Sequence, residues 1–459
     1  MNNYTGVIRI RFIGYFLSIF LIVTFFNGCR STEQLTRPEV KPGYQTILDT
    51  STVLNRAFTG FVLYDPSDNK MICQRNADRY FTPASNNKLF TFYTALVTLK
   101  DSLPGLLYVR HGDSLIFQGT GDPAFLYPVF KRQPVFEFLS NQTDSLYFDP
   151  DNFDATPLGP GWSWDDLNYY YAPERTPFPI YGNVARFKVR KVTNYDLSLT
   201  DSANDVTPRS LRANVRYASP DSQSSNFVVR SLGKNQFTFY PRSDTTHIEV
   251  EVPFHYTPEL FAEMLGDTLH KKVGIVHGRL YGNQTTISGI PADSLYRHML
   301  LPSDNFIAEH LLLMCSQVRF GKMVPDSIIR YMKHTYLKDL PDPVIWVDGS
   351  GLSRYNLETP RNMVALLQKI NKIVPDSTLF KLLPAGGVSG TLRNWYKANK
   401  PYVFGKTGTL SNNHNLSGYI ITKSGRKLIF SLMVNHYVVS TSTVRRAMQN
   451  LLEAVHNDL

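Results

Sequence analysis

The densest apolar run beyond the N-terminus is Leu89, Phe90, Phe92, Tyr93, Leu96, Val97 and Leu99. At helical spacing these residues leave almost no polar face, so the pattern predicts a helix buried on most sides, with Pro83 in its first turn. Just before it, residues 58–64 and 71–74 read as two strands joined by Asp-Pro-Ser-Asp-Asn, a good hairpin turn. From about residue 106 the pattern changes to short strands separated by turns, including 187–190, 227–230, 237–240 and 247–252, with a single helix at 258–270. Helices return at 291–302, at 303–314 with Ser303 as the expected N-cap, and at 360–370. Three strands, 402–406, 417–422 and 427–435, then precede an amphipathic helix at 442–455. The order predicts an α/β (α+β) domain with an antiparallel sheet flanked by helices, residues 44–105 and 283–459, interrupted by a mainly β insert, residues 106–282.

Arg9 and Arg11 precede an apolar stretch at 12–26 that has the length of a signal-peptide core rather than of a membrane span, and it ends at Gly28-Cys29. Residues 1–29 are therefore expected to be a lipoprotein-type signal, with Cys29 lipidated as the mature N-terminus and anchoring the protein to a membrane. The polar, proline-containing residues 30–43 read as a tether. Cys73 and Cys315 sit among apolar neighbours and are expected to be free thiols; their spacing argues neither for zinc nor for a redox pair. A length of 459 residues with 42% hydrophobic content excludes disorder as the theme. The formal charge of +10 suits anionic partners, but no basic run points to nucleic acid. The histidines show no metal-binding spacing, and no cofactor or metal is implied.

Ser-x-x-Lys occurs four times, at Ser67/Lys70, Ser85/Lys88, Ser231/Lys234 and Ser424/Lys427. Three copies lie in polar turn compositions; only Ser85 opens a helix. Residues three apart share a helix face, so Ser85 and Lys88 can touch. Burial favours the neutral form of a lysine and lets it act as the base for a neighbouring hydroxyl. Taken alone, the pattern is better explained by a capping serine and a lysine reaching solvent. Two further motifs reverse that balance: Ser303-Asp304-Asn305 at a helix start and Lys406-Thr407-Gly408 on a C-terminal strand.

The three motifs in this order resemble those of penicillin-binding proteins and serine β-lactamases. Leu-Ile-Phe-Gln-Gly-Thr-Gly-Asp-Pro around Gly121, Pro-Gly-Trp-Ser-Trp-Asp-Asp-Leu around Trp164, Asp-Gly-Ser-Gly-Leu-Ser-Arg-Tyr-Asn around Gly351 and Gly-Thr-Leu-Arg at Gly390 narrow the likeness. With the large insert, they resemble the D-alanyl-D-alanine carboxypeptidase/endopeptidase family, the low-molecular-mass class C penicillin-binding proteins. Pro302 and the Asn86-Asn87 pair depart from the usual pattern without removing a reacting group.

The resemblance implies a serine penicillin-binding/β-lactamase-like fold and acyl transfer on peptidoglycan stem peptides, with β-lactams as covalent inhibitors and a periplasmic location. It implies Ser85 as nucleophile, Lys88 as its base, Ser303 as proton relay to the leaving amine and Asn305 as holder of Lys88 and the substrate amide. Lys406, Thr407 and Thr409 would receive the substrate carboxylate, Gly408 completes that strand motif, and the N–H groups of Ser85 and Thr409 would form the oxyanion hole. A second cation at Lys406 would help lower the proton affinity of Lys88. Trp162, Trp164, Asp165 and Asp166 are expected to knit the insert together, with Asp165 or Asp166 also in reach of a stem-peptide amine. Asp348 and its glycines are explained by a tight turn. Two alternatives remain: a β-lactamase-like hydrolase, which would lack the insert, and a catalytically silent cell-wall-binding lipoprotein.

Overall fold

The computed structural model describes residues 43–99, 101–189, 206–218, 224–240 and 248–459, so the expectations for the signal, Cys29 and residues 30–42 lie outside the described residues. Gly43 does not belong to a tether: it opens the helix Gly43–Thr50, which is followed by Thr52–Arg56. Among the described residues no helix is long and apolar enough to cross a membrane.

A five-stranded sheet joins the two ends of the chain, in the order Val403–Leu410, Asn413–Ile421, Lys427–Asn435, Phe58–Asp65, Lys70–Arg75. Every neighbouring pair is antiparallel. Side-chain alternation along Phe58–Asp65 shows how the sheet is covered. Phe61 and Leu63 point into a cluster with Tyr44, Leu48, Leu54 and the C-terminal helix Thr441–Asp458. Val62 points the other way, among Phe90, Ile307, Leu311, Met363 and Leu367. That second layer holds the helices Lys88–Thr98, Asn305–Phe320 and Pro360–Ile373. Phe90, Phe92, Ile307 and Leu311 are fully buried, and burying each such side chain contributes about 1.5–3 kcal/mol.

The insert contains a second five-stranded sheet, ordered Val273–Ile275, Ser145–Phe148, Ser114–Gly119, Ser102–His111, Thr285–Pro291, and two three-stranded sheets. It also carries the helices Pro134–Ser140 and Pro258–Leu269. Among the described residues, its apolar cluster runs from Leu106 to Ile287. The expected boundary at 106 falls inside one strand, and its partner strand begins just after 282. Ser102–His111 and Thr285–Pro291 run antiparallel, with Ser102 opposite Pro291 and Tyr108 opposite Thr285.

The hairpin, the buried helix and the C-terminal helix fall where the periodicity predicts them. The strands Val403–Leu410 and Asn413–Ile421 run longer than predicted, because their added residues Gly408, Asn413, His414 and Asn415 are poor strand formers that are nonetheless buried. Gly43–Thr50 and Thr52–Arg56 were not anticipated: with only Tyr44, Leu48 and Leu54 buried, too few apolar positions exist to show a period.

Candidate active site

Ser85 does not sit in the α-helix. It lies in a 3-10 turn, Ala84–Asn87, and the α-helix begins at Lys88. Ala84 adopts a left-handed φ of 48°, an uncommon conformation for a residue with a Cβ, and two glycines press on this turn. A Cβ on Gly408 would lie 2.3 Å from the Pro83 carbonyl and 3.0 Å from the Ser85 nitrogen. One on Gly351 would lie 2.0 Å from the Ala84 carbonyl, so both positions require glycine. Asn86 and Asn87, both fully buried, anchor the turn from inside. Asn86 Nδ2 donates to Ser417 Oγ at 2.8 Å and Asn87 Nδ2 to the Asp348 carbonyl at 2.7 Å.

The Lys88 side chain is fully buried, and its Nζ lies 2.9 Å from Ser85 Oγ, 2.5 Å from Asn305 Oδ1 and 2.7 Å from the Ser350 carbonyl. As an ammonium, Lys88 donates to all three. As a neutral amine it keeps two N–H bonds for the two oxygens that can only accept, and its lone pair is left facing the Ser85 hydroxyl, which then donates. Burial lowers the Lys88 pKa to about 8, against the pull of Asp348, Asp304 and Glu309, which favour the charged form.

Ser303 is not the N-cap. Asp304 caps the helix Asn305–Phe320, accepting from the Ile307 N–H at 2.9 Å, and its other oxygen accepts from Tyr127 OH at 3.0 Å. Ser303 stands one residue earlier with a left-handed φ of 67°, and its Oγ accepts from Lys406 Nζ at 2.7 Å. Lys406 is also fully buried and donates to the Thr407 carbonyl at 2.7 Å. Burial, then repulsion by Lys88, holds its pKa well below that of an ordinary lysine. Repulsion between the two amines thus registers at Lys406, whereas at Lys88 burial is the lowering force.

Val403–Leu410 is an edge strand, and its backbone alternation can be followed into the site. Gly405 donates its N–H outward to the Pro384 carbonyl, and Val403 accepts from Gly386, so the odd-numbered residues face away from the sheet. Thr407 and Thr409 continue the same register without a bulge, so their backbone groups also point away from the neighbouring strand. Thr407 Oγ1 donates to Thr391 Oγ1 at 2.7 Å; the exposed Thr409 places its Oγ1 2.8 Å from Nδ1 of the buried His414.

The structure therefore brings Ser85, Lys88, Ser303, Asn305 and Lys406 into one connected constellation, with Thr407, Gly408 and Thr409 along its wall. The other Ser-x-x-Lys copies serve turns. Ser67 Oγ donates to Asp65 Oδ1 at 2.6 Å, Ser424 Oγ to the Leu459 carbonyl at 2.5 Å, and Lys427 engages Asp376 at 2.8 Å. Trp162 does not stay within the insert: its indole N–H donates to Asp348 Oδ2 at 2.9 Å, across to the catalytic half. Asp348 also accepts from the N–H groups of Gly351 and Ser353 and from Asn356, so it is a buried hub as well as a turn residue. Trp164 is 79% exposed, and Asp166 accepts from Tyr171 OH at 2.7 Å. Missed by the sequence reading were Tyr127, Ser350, Thr391 and His414; Ser350 and Thr391 carried a signal, inside Asp-Gly-Ser-Gly and Gly-Thr-Leu-Arg.

Residues 45–455 match the D-Ala-D-Ala carboxypeptidase 3 (S13) family. The chain belongs to that family. It is 24% identical over 462 residues to the D-alanyl-D-alanine carboxypeptidase DacB of Haemophilus influenzae, covering 87% of this chain and 90% of that one. It is also 26% identical over 476 residues to the D-alanyl-D-alanine carboxypeptidase of Actinomadura sp. (strain R39), covering 89% and 82%. The crystal structure of penicillin binding protein 4 (dacB) from H. influenzae shares the fold, with a TM-score of 0.73 at 19% identity over 91% of this chain and all of that one. A second crystal structure of that protein holds a β-lactam. This S13 chain is an enzyme of the serine-type D-Ala-D-Ala peptidase class. Family membership over nearly the whole chain, insert included, favours that reading over a β-lactamase.

Proposed function

We propose that Ser85 carries the acyl group in the hydrolysis of peptidoglycan stem peptides that end in D-Ala-D-Ala, or that are cross-linked through a D-Ala carbonyl. The observation that carries this is the environment of the Lys88 amine. It is fully buried, held by two oxygens that can only accept, and left with one direction free, toward Ser85 Oγ at 2.9 Å.

Ser85 Oγ attacks the D-Ala carbonyl while its proton passes to Lys88 Nζ. The carbonyl oxygen gains charge between the N–H groups of Ser85 and Thr409, an arrangement supported by the outward register of Thr409 and the close approach of Gly408 to the Ser85 nitrogen. The C–N bond then breaks, and the proton that Lys88 took from Ser85 passes to the leaving amine with Ser303, whose hydroxyl already bonds to Lys406, as relay, so that Lys88 is neutral again. Water repeats the sequence on the ester and frees Ser85. Asn305 holds Lys88. Lys406, whose amine a bound carboxylate would help to protonate, and the hydroxyls of Thr407 and Thr409 receive the terminal carboxylate.

Carboxypeptidase and endopeptidase action share the acyl half and differ only in the leaving amine. Purified protein incubated with defined muropeptides should release D-alanine or open cross-links, and Ser85→Ala should do neither. Product release by a folded Ser85→Ala variant would sink the assignment. β-Lactams are taken as covalent substrate mimics on the same serine.

The division into a catalytic unit, 44–105 and 283–459, and an insert, 106–282, belongs to this reading; the apolar cluster running from Leu106 to Ile287 supports it. So does a periplasmic, membrane-anchored location through lipidated Cys29, supported by Arg9, Arg11 and the apolar stretch before Gly28-Cys29. Mass spectrometry of the mature protein should find acylated Cys29 as its first residue; cleavage elsewhere refutes the anchor.

A further inference from the structure

Two oxygens fix the Lys88 amine, and both are held in turn by one segment of the insert. Residues 171–176, Tyr-Ala-Pro-Glu-Arg-Thr, run along the helix Asn305–Phe320 and meet it at three points. Asn305, whose Oδ1 accepts from Lys88, donates through Nδ2 to the Tyr171 carbonyl at 2.8 Å. One turn later on the same face, Glu309 Oε2 accepts from Arg175 Nε at 2.9 Å and Nη2 at 2.6 Å. The next residue, His310, accepts at Nε2 from the Thr176 N–H at 3.3 Å and donates from Nδ1 to the Phe306 carbonyl at 2.9 Å.

The second contact reaches the chemistry. Glu309 Oε1 accepts from the Ser350 N–H at 2.7 Å, and the carbonyl of Ser350 is the other oxygen on Lys88 Nζ. Arg175 and Glu309 are 3% and 2% exposed, so neither is held by solvent. The Trp162 ring lies 5.3 Å from the Arg175 guanidinium and fixes its other side.

We propose that Arg175 is a positioning residue for the general base: through Glu309 and the Ser350 amide it sets the carbonyl that aims the Lys88 lone pair at Ser85. The inference rests on the assignment of Ser85 and Lys88 given above. It makes the insert part of the catalytic machinery rather than an appendage.

Arg175 also balances charge. Lys88 faces Asp304 and Glu309 from the helix, Asp348 from the neighbouring loop and Lys406 from the strand. With its guanidinium partner gone, the Glu309 carboxylate is an uncompensated buried charge that favours the protonated form of Lys88.

The test follows the second-order rate of acylation by a fluorescent penicillin against pH, with thermal unfolding measured alongside. In Arg175→Met the plateau rate should fall about 10²-fold, the scale expected when a reacting group is slightly misplaced, and the rising limb should move to higher pH. Affinity for a non-reacting D-Ala-D-Ala mimic should not change. Arg175→Lys, which keeps the charge but loses the planar two-point contact, should recover the position of the limb and only part of the rate. The double variant Arg175→Met/Glu309→Gln removes the unpaired charge, so it should regain thermal stability and the wild-type limb while its plateau stays low. A purely structural role predicts instead that the double variant regains the full rate; that result, or a folded Arg175→Met with wild-type rate and profile, overturns the proposal. If Arg175→Met does not fold, the double variant alone decides. Ser85→Ala run in parallel separates the two levels: its labelling would sink the nucleophile assignment, whereas an inert Ser85→Ala beside an unaffected Arg175→Met sinks only the role of Arg175.

Discussion

If Lys88 is the base, the pH dependence of acylation follows from its burial. With a pKa of about 8 in place of the ordinary 10.5, about a tenth of the amine is neutral at pH 7, against about one part in 3,000 for an exposed lysine. The fold thus supplies roughly 300 times more reactive base, equivalent to about 3 kcal/mol held against the charged form. That cost has a sign that can be measured. Below the folded pKa the ammonium is buried at full cost in the native state; between about 8 and 10.5 the unfolded chain binds the extra proton, so stability rises with pH across that window. The assay is labelling by a fluorescent penicillin in the pre-steady state from about pH 6 to about pH 10. The rate should climb about tenfold for each pH step below about 8 and then level off, and Lys88→Met should lose both the climb and most of the rate. A flat profile over that range, or a Lys88→Met variant labelled at the wild-type rate, would refute the reasoning.

Other outcomes follow from the same geometry. Gly408→Ala places a methyl 2.3 Å from the Pro83 carbonyl, so it should cost about 1–3 kcal/mol in unfolding measurements and sharply slow labelling by displacing the Ser85 turn. Lys406→Ala should raise KM for peptide more than it lowers kcat, with some loss of rate through Ser303, because its amine bonds to Ser303 Oγ and the Thr407 carbonyl rather than to Ser85. Glu358 is fully buried, its carboxyl is bonded among the described residues only to Asn362 Nδ2 at 3.2 Å, and burial raises its pKa to about 8. The folded state keeps its proton where the unfolded chain loses it, so stability should decline as pH rises from about 4.5 to about 8, by at most about 5 kcal/mol. Urea titrations of Glu358→Gln should show that decline removed; an unchanged decline would show the carboxyl to be ionised already.

The three motifs were legible because each places a rare combination of types at a helix start or on a strand, and the elements carrying them have clear apolar periods. The cap at 303–304 was misread because serine and aspartate cap equally well, and nothing in adjacent letters decides between them. Ser85 in a 3-10 turn was hidden for a similar reason: Ala84-Ser85-Asn86-Asn87 is compatible with either helix, and only the approach of Gly408 and Gly351 settles the tighter form. Arg175 and Glu309 were invisible as a pair. One lies in irregular backbone, and the other is a charge on a helix whose polar letters read as a solvated face.

The central sheet has a temporal consequence. Its strand Phe58–Asp65, with Phe61, Val62 and Leu63 fully buried, pairs on one side with the adjacent hairpin strand and on the other with Lys427–Asn435, Phe61 lying opposite Leu432. A chain emerging from its N-terminus therefore makes the first strand early and its second neighbour almost last, with the whole insert in between. Closing so long a loop slows formation of the sheet and leaves an apolar strand edge unpaired meanwhile. The insert, whose own strands pair over shorter spans, can order first, while Ser85 waits for the Lys406 strand to arrive beside it. The nascent chain is inert toward its substrate until nearly all of it has been made, and its exposed edge is the part most in need of a chaperone.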